Sequence, residues 1–410
     1  MAEMFTVLPP EQARTLLFER LPAAVASEAI ATSAALDRTL SERPLAPHPL
    51  PAFPRSTMDG YAVRAEDTFG AGEMLPAYLE VIGEVPMGRG CELTVGSGQA
   101  AVVYTGGMLP AGADAVVMVE RTQKLGDSGI EVLRAVAAGE NVVAVGEDVK
   151  EGEALLEAGH TLRPQDLGGL LALGITTVQV ARRPRVAIIS TGDEVVAPEL
   201  TPGPGQIRDI NTYTIAGLVE RAGGIAVPCG VVGDNFDLLL AAARAALEDA
   251  DVLVLSAGSS VSTRDMSAEV LNRLGKPGVL VHGVAVKPGK PTILGVCDGK
   301  AVLGLPGNPV SAMVVAGLFL VPLIERLQGR SHPTALRRVT ARLTHNVASV
   351  PGREDYVQVR LVHRDGELWA EPVFGKSNLI YTLVKSDGLL RVPLDTSGLY
   401  QGEPVVVELF

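Results

Sequence analysis

Cysteine is scarce in this 410-residue chain: there are three, Cys91, Cys229 and Cys297, far apart, without CxxC spacing and with one left over from any pairing. That usage excludes a disulfide scaffold and fits a reduced, cytoplasmic setting. Aromatic residues make up only 4%, which argues against a base-stacking platform. Lys+Arg number 35 against 47 Asp+Glu, so a net charge of −12 argues against a broad grip on nucleic acid. The six histidines, at 48, 160, 282, 332, 345 and 363, show no HxxxH or Cys/His spacing, so a structural zinc site is not expected. There is no G-x-S-x-G elbow, and nothing suggests covalent nucleophilic catalysis. Long apolar runs are missing as well. The longest, 310–324, is interrupted by Ser311 and Pro322 and is short for a bilayer span, so a buried helix is expected and no membrane association. The opening residues carry an early acid, Glu3, and no long apolar core, so no signal peptide is expected.

What is present is a globular composition, 47% apolar and 20% charged, long enough for about two to four domains. With 45 glycines and 28 prolines, turns must be frequent. Proline opens a predicted helix at 9–20, a second helix is predicted over Ser27 to Leu40, and the proline-rich run 43–54 reads as a linker. From Tyr61 to about Asn141, short β-branched runs at 78–82, 101–104 and 115–119 alternate with turns, which predicts a β domain. Gly96-Ser-Gly98-Gln-Ala-Ala101 loosely matches a dinucleotide fingerprint, but no helix follows, and it reads as a hairpin turn. A helix is predicted from Arg163 to Gly174, then a strand at 176–180.

From Arg185 the pattern changes to apolar strands at 186–189, 225–227, 252–255 and 301–303, interleaved with amphipathic helices at 211–222, 238–247 and 309–327. Strands that are apolar without alternation are buried on both faces, which predicts a three-layer, largely parallel α/β sheet. Alternation returns after about His332, in 356–360 and 404–408, and predicts a small closing β module.

Open parallel sheets bind ligands beyond the carboxyl ends of their strands. The loops expected there are Ser190-Thr-Gly-Asp-Glu194, Ser256-Ala-Gly-Ser-Ser260 and Pro306-Gly-Asn-Pro309, all small or hydroxyl-rich. Asn308 suits a helix N-cap and Pro309 a first helical position, so the turn either docks an anion on outward-facing N–H groups or simply begins a helix. Lys287-Pro-Gly-Lys290-Pro291 sets two cations on a rigid turn in an acidic chain, either to capture an oxyanion or as a solvated turn. It is not a P-loop, since proline stands where a magnesium-binding Ser/Thr is required. Asp193, Glu194, Asp209, Asp234 and Asp265 cluster near these loops, and carboxylates with phosphates are the usual setting for Mg²⁺.

Six segments then occur in order: Ser56-Thr-Met-Asp-Gly-Tyr-Ala62, Tyr104-Thr-Gly-Gly-Met-Leu-Pro110, Gly146-Glu-Asp148, Ser190-Thr-Gly-Asp-Glu194, Lys287-Pro-Gly-Lys-Pro291 and Pro306-Gly-Asn-Pro-Val-Ser311. Together they resemble the molybdopterin molybdenumtransferase family, of the MoeA and gephyrin E-domain type. The resemblance implies insertion of molybdate into adenylylated molybdopterin with release of AMP, aided by Mg²⁺, in a cytoplasmic homodimer, with a molybdopterin adenylyltransferase as a candidate partner. It implies a multidomain fold of four parts: a three-layer α/β (MogA-like) domain, an inserted β domain, a linking α+β domain and a small C-terminal β-barrel-like domain. The corresponding residues are 1–26 with 183–330, 51–141, 27–50 with 142–182, and 331–410.

Carried over residue by residue, the resemblance implies catalytic roles for Asp59, Asp148, Glu194, Asp234, Asp265 and Lys287. Asp59 and Thr105 would serve the site of a partner subunit. Thr105, Gly192, Asp193, Gly258, Pro306 and Asn308 would contact the pterin nucleotide. Lys287, Pro288, Ser311, Arg353 and Ser377 would form the molybdate pocket, and Glu194, Asp234 and Asp265 would hold magnesium. The sequence departs from the family at Asn141–Val145, where arginines are usual before Gly-Glu-Asp, at Gly283, where a base is common, and at Ala257 and Asn235. These losses keep open a divergent paralogue that binds the pterin as a scaffold, or one that inserts tungstate.

Overall fold

The computed structural model describes residues 7–22, 24–257, 261–332 and 337–410, the side chains of 261–265 excepted. The chain divides into two compact units, the larger running to Glu42 and containing Ala158–Arg163 and Thr177–Phe410, the smaller made of Arg43–Glu157 and Pro164–Thr176.

The larger unit is built on a six-stranded sheet in the order Ile225–Val232, Arg185–Thr191, Val252–Ala257, Lys300–Pro306, Ile293–Cys297, Pro277–His282. The apolar runs are explained by its two buried faces. Val186, Ile188, Val252, Val254, Leu303 and Leu305 point into one core, and Ala187, Ile189, Leu253, Leu255 and Val302 into another. Each strand therefore alternates between two apolar layers, and helices cover both. Phe236–Glu248 buries Leu239, Ala243 and Leu247, spaced four apart, after Asn235 caps it by accepting the Leu238 N–H at 3.0 Å.

The first four strands run parallel, and the last two are antiparallel to their neighbours. The reversal begins at Asp298-Gly299, both at positive φ (49° and 83°), a two-residue turn that leaves Cys297 paired with Lys300. So short a link permits only an antiparallel neighbour.

The expected buried helix spans Pro309–Leu327, 19 residues with 67% of its most apolar window inside the fold. Ala316–Leu320 within it forms a wider π-type turn just before Pro322. Such a turn accommodates a proline that would otherwise clash with the carbonyl four residues earlier.

The C-terminal strands close on themselves. Glu354–Arg364 pairs with both Glu367–Pro372 and Gly388–Val392, and the circuit is completed through Arg338–Leu343 and Pro404–Leu409. Leu343, Val359, Ala370, Leu390 and Val407 fill the resulting barrel.

The smaller unit carries a six-stranded sheet, Ala115–Met118, Gly60–Val63, Gln99–Val103, Ala77–Glu84, Gly129–Val132, Thr122–Leu125, with apolar clusters around Val63 and Val117 and around Ala62 and Val103. A Cβ on Gly60 would overlap the Val117 carbonyl oxygen, so only glycine fits beside that strand.

Two expectations are corrected. Ser27 to Leu40 is not a helix: Ser27–Ala31 is a strand paired antiparallel with Thr177–Ala181, followed by a short 3₁₀ turn at Thr32–Ala34. Pairing with a segment about 150 residues away overrides a local apolar pattern that suited a helix. Gly96 to Gln99 is a turn, with Gln99 N–H donating to the Gly96 carbonyl, but not a hairpin. The strands on its two sides, Ala77–Glu84 and Gln99–Val103, lie parallel.

Candidate functional site

In the central sheet Ser190 lies opposite Ser256, and Ala257 opposite Pro306, so three strands end at one level. Asn211, at the start of the following helix, ties two of the loops. Its amide nitrogen donates to Ser256 Oγ and to the Gly307 carbonyl, each at 2.8 Å, while its buried Oδ1 has no partner among the described residues. Ser190 Oγ donates to Asp209 Oδ1 at 2.9 Å, and Asp209 also accepts the Thr212 N–H. Asp209 is thus committed to the scaffold. Sequence reasoning missed Asn211, since its partners are 45 and 96 residues away.

Beyond the Pro306 loop lies a cavity of about 1060 Å³ bounded by the α/β domain and the C-terminal barrel. The Lys287 turn enters it from one side: Val286–Lys287 adds to the barrel strand Glu354–Arg364, with Lys287 opposite Asp355. Gly289, at φ +117°, packs so closely on Val315 that a Cβ there would overlap its side chain. Lys287, Lys290, Ser311, Arg353 and Ser377 all line this cavity, with Pro288, Pro306 and Asn308.

The Pro306–Ser311 turn differs from the expectation at two atoms. Asn308 occupies the N-cap position but makes no side-chain cap. Its amide donates instead to Ser377 Oγ at 3.0 Å, and the Val310 N–H donates to the Ser377 carbonyl at 3.1 Å. The first free N–H of the helix is therefore spent on the barrel, and the hydroxyl and cationic side chains named above remain on the cavity wall.

Arg353 Nε donates to Asp355 Oδ1 at 2.8 Å, and Lys287 Nζ stands 3.6 Å from Asp355 Oδ2. Next along the same strand, the Tyr356 hydroxyl donates to Glu354 Oε2 at 2.7 Å while Arg391 holds Oε1. Burial, reinforced by that carboxylate, raises the Tyr356 phenol far above its ordinary value and keeps it protonated.

A second cavity, about 520 Å³, lies at the Ser190–Glu194 loop, with Gly192, Asp193, Asp209, Tyr213 and Gly233 on its wall. Asp193 Oδ1 accepts the Asp234 N–H at 3.0 Å, which fastens this loop to the one after Ile225–Val232. Glu194 is half-buried and Asp234 exposed. Gly258 and the side chain of Asp265 lie outside the described residues.

In the smaller unit, exposed Asp59 accepts hydrogen bonds on Oδ1 from the Thr105 N–H at 2.7 Å and from Thr105 Oγ1 at 2.9 Å. Those two donors, the backbone one first, hold the Asp59 carboxyl below the usual carboxylate range. Asp148 is exposed in a turn whose N–H donates to the Leu50 carbonyl at 3.1 Å.

Family models match nearly the whole chain: the MoeA N-terminal region (domain I and II) at 8–174, a domain described as "Probable molybdopterin binding domain" at 187–326, and the MoeA C-terminal region (domain IV) at 340–410. The molybdopterin molybdenumtransferase of Haemophilus influenzae is 33% identical over 98% of this chain and 99% of its own. The chain belongs to the MoeA family. The molybdopterin molybdenumtransferase of Bacillus subtilis, another MoeA relative, is 33% identical over 93% of this chain and 90% of its own. A molybdopterin biosynthesis MoeA protein of Pyrococcus horikoshii has the same fold, with a TM-score of 0.84, 33% identity and coverage of 99% and 100% of the two chains. In this MoeA chain the larger cavity takes Lys287 and Ser311 from the second matched region, and Arg353 and Ser377 from the third.

Proposed function

We propose that the chain is a molybdopterin molybdenumtransferase, which inserts molybdate into adenylylated molybdopterin and releases AMP. The observation that carries this reading is the convergence of Lys287, Lys290 and Arg353 with the hydroxyls of Ser311 and Ser377 on one cavity of an acidic chain. Molybdate is a tetrahedral dianion. A lysine point charge, an arginine fork and hydroxyl donors are the groups that recognise such an oxyanion. In the proposed reaction these residues bind and orient molybdate, and its positioning against the pterin nucleotide supplies most of the acceleration. Gly192, Asp193, Gly258, Pro306 and Asn308 are proposed to contact the nucleotide-pterin.

The donor set beside the smaller cavity is carboxylate oxygen, and among the described residues no three His, Cys, Asp or Glu side chains gather to hold a metal by themselves. Carboxylate oxygens are the donors Mg²⁺ takes when it is shared with substrate phosphates. Glu194 and Asp234, with Asp265, would hold it. Bound there, the ion would neutralise phosphate charge. Asp148, in the smaller unit, is proposed as a further catalytic acid.

The active species is proposed to be a cytoplasmic homodimer, in which Asp59 and Thr105 serve the partner's site, and which receives its nucleotide from a molybdopterin adenylyltransferase. Light scattering on the purified protein should give twice the 42.8 kDa chain mass. A monomeric mass at assay concentration would contradict it.

The activity is tested by incubating the protein with adenylylated molybdopterin, Mg²⁺ and molybdate, and following AMP. Molybdate-dependent AMP release with formation of the cofactor is expected. Pterin binding without turnover would assign the scaffold role instead.

A further inference from the structure

We propose that Asp355 is a positioning residue for the oxyanion subsite, holding Lys287 and Arg353 in the arrangement that receives molybdate. The inference rests on the function proposed above and names a group that the motif reading did not include.

The strand and the bend before it place the three charges together. Arg353 sits in the bend just before the strand that begins at Glu354, and its guanidinium reaches the Asp355 carboxylate from there. Lys287 is the register partner of Asp355 on the neighbouring parallel strand, and directly opposed residues share a face. The contacts follow: Arg353 Nε to Oδ1 at 2.8 Å, an Arg353 Nη to Oδ2 at 3.4 Å, and Lys287 Nζ to Oδ2 at 3.6 Å.

Exposure separates the roles. The Asp355 side chain is 4% exposed, against 35% for Arg353 and 59% for Lys287. Asp355 is fixed by pairing on both sides, to Lys287 and to Val392. Two cations on one patch repel each other, and long side chains left alone spread into solvent. A rigid carboxylate between their roots draws both toward one place and engages only one edge of the guanidinium, leaving its other donors for a ligand. The triad keeps a net charge of +1, and Lys290 and Lys376 on the same cavity wall bring it to +3, which favours a dianion.

The test is calorimetric titration of the full-length protein with sodium molybdate, alongside the molybdate KM and kcat of AMP release. Asp355→Asn should raise the molybdate Kd and KM about tenfold or more, with kcat at saturating molybdate nearly unchanged. Removing a negative charge by itself favours anion binding, so a weaker Kd isolates alignment from charge. The effect of Asp355→Asn should shrink at least about threefold in an Arg353→Ala background, since it acts through that partner. Unchanged or tighter binding, or an equal effect in both backgrounds, would overturn the proposal. Should the Asn variant fail to fold, Asp355→Glu keeps the charge and displaces it by one methylene, and an unchanged Kd there would be equally fatal. Wild-type protein that binds no molybdate would overturn the reading of the cavity itself, a result separate from wild-type binding that Asp355→Asn leaves intact.

Discussion

Lys287→Ala should lower molybdate-dependent AMP release about ten- to 150-fold, the factor for one charged hydrogen bond worth about 1.5–3 kcal/mol. The fold should be little affected. Lys287 is 59% exposed, its contact with Asp355 is 3.6 Å, and Arg353 remains on the carboxylate at 2.8 Å. So long a contact from a solvent-exposed lysine contributes little to stability, and the buried carboxylate stays paired with Arg353. The loss should appear in the molybdate KM when the lysine only binds, and in kcat as well when it also stabilises charge developing in the reaction. Thermal melting beside the kinetics separates the site from the scaffold. Full activity at low molybdate, with melting unchanged, would remove Lys287 from the site.

Phe319→Ala should destabilise the α/β domain by about 3–5 kcal/mol, a large share of the roughly 5–15 kcal/mol that holds a typical domain folded. Phe319 is 0% exposed and packs in the core on the Val186 and Ile188 side of the sheet, within the π-type turn of the helix that Pro309 begins. The surrounding strands and helices are tied to one another and cannot collapse fully into the space left behind. Calorimetry should show the domain's transition moved down by about 6–20 °C. Phe374→Ala is the control: Phe374 is 66% exposed at the cavity, and its loss should leave the transition in place. Equal effects from the two substitutions would contradict the assigned core.

The elements most legible in the sequence were those whose pattern has one physical meaning. Val186 to Ile189 and Val252 to Leu255 are apolar at every position because both faces of the sheet are covered, and both became central strands. Pro164 and Pro309 opened helices, as proline's fixed φ favours. What escaped was set by partners distant in the chain. Ser27–Ala31 is a strand because Thr177–Ala181 lies beside it. Asn308 does not cap its helix because Ser377, 69 residues on, takes its amide. Asn211 and Asp355 are invisible as motifs, since each acts by joining segments that only the fold brings together. The Lys287 turn and the Pro306–Ser311 loop were both singled out from local chemistry, but nothing in their spacing said they would face one cavity.

The most direct measurement is a crystal of the protein grown with molybdate and recorded at a wavelength where molybdenum scatters anomalously. The account predicts one strong peak in the larger cavity, within hydrogen-bonding reach of Lys287 and Arg353 and beside Ser311 and Ser377. A cavity without molybdenum, with the anion instead bound at another surface, would contradict it.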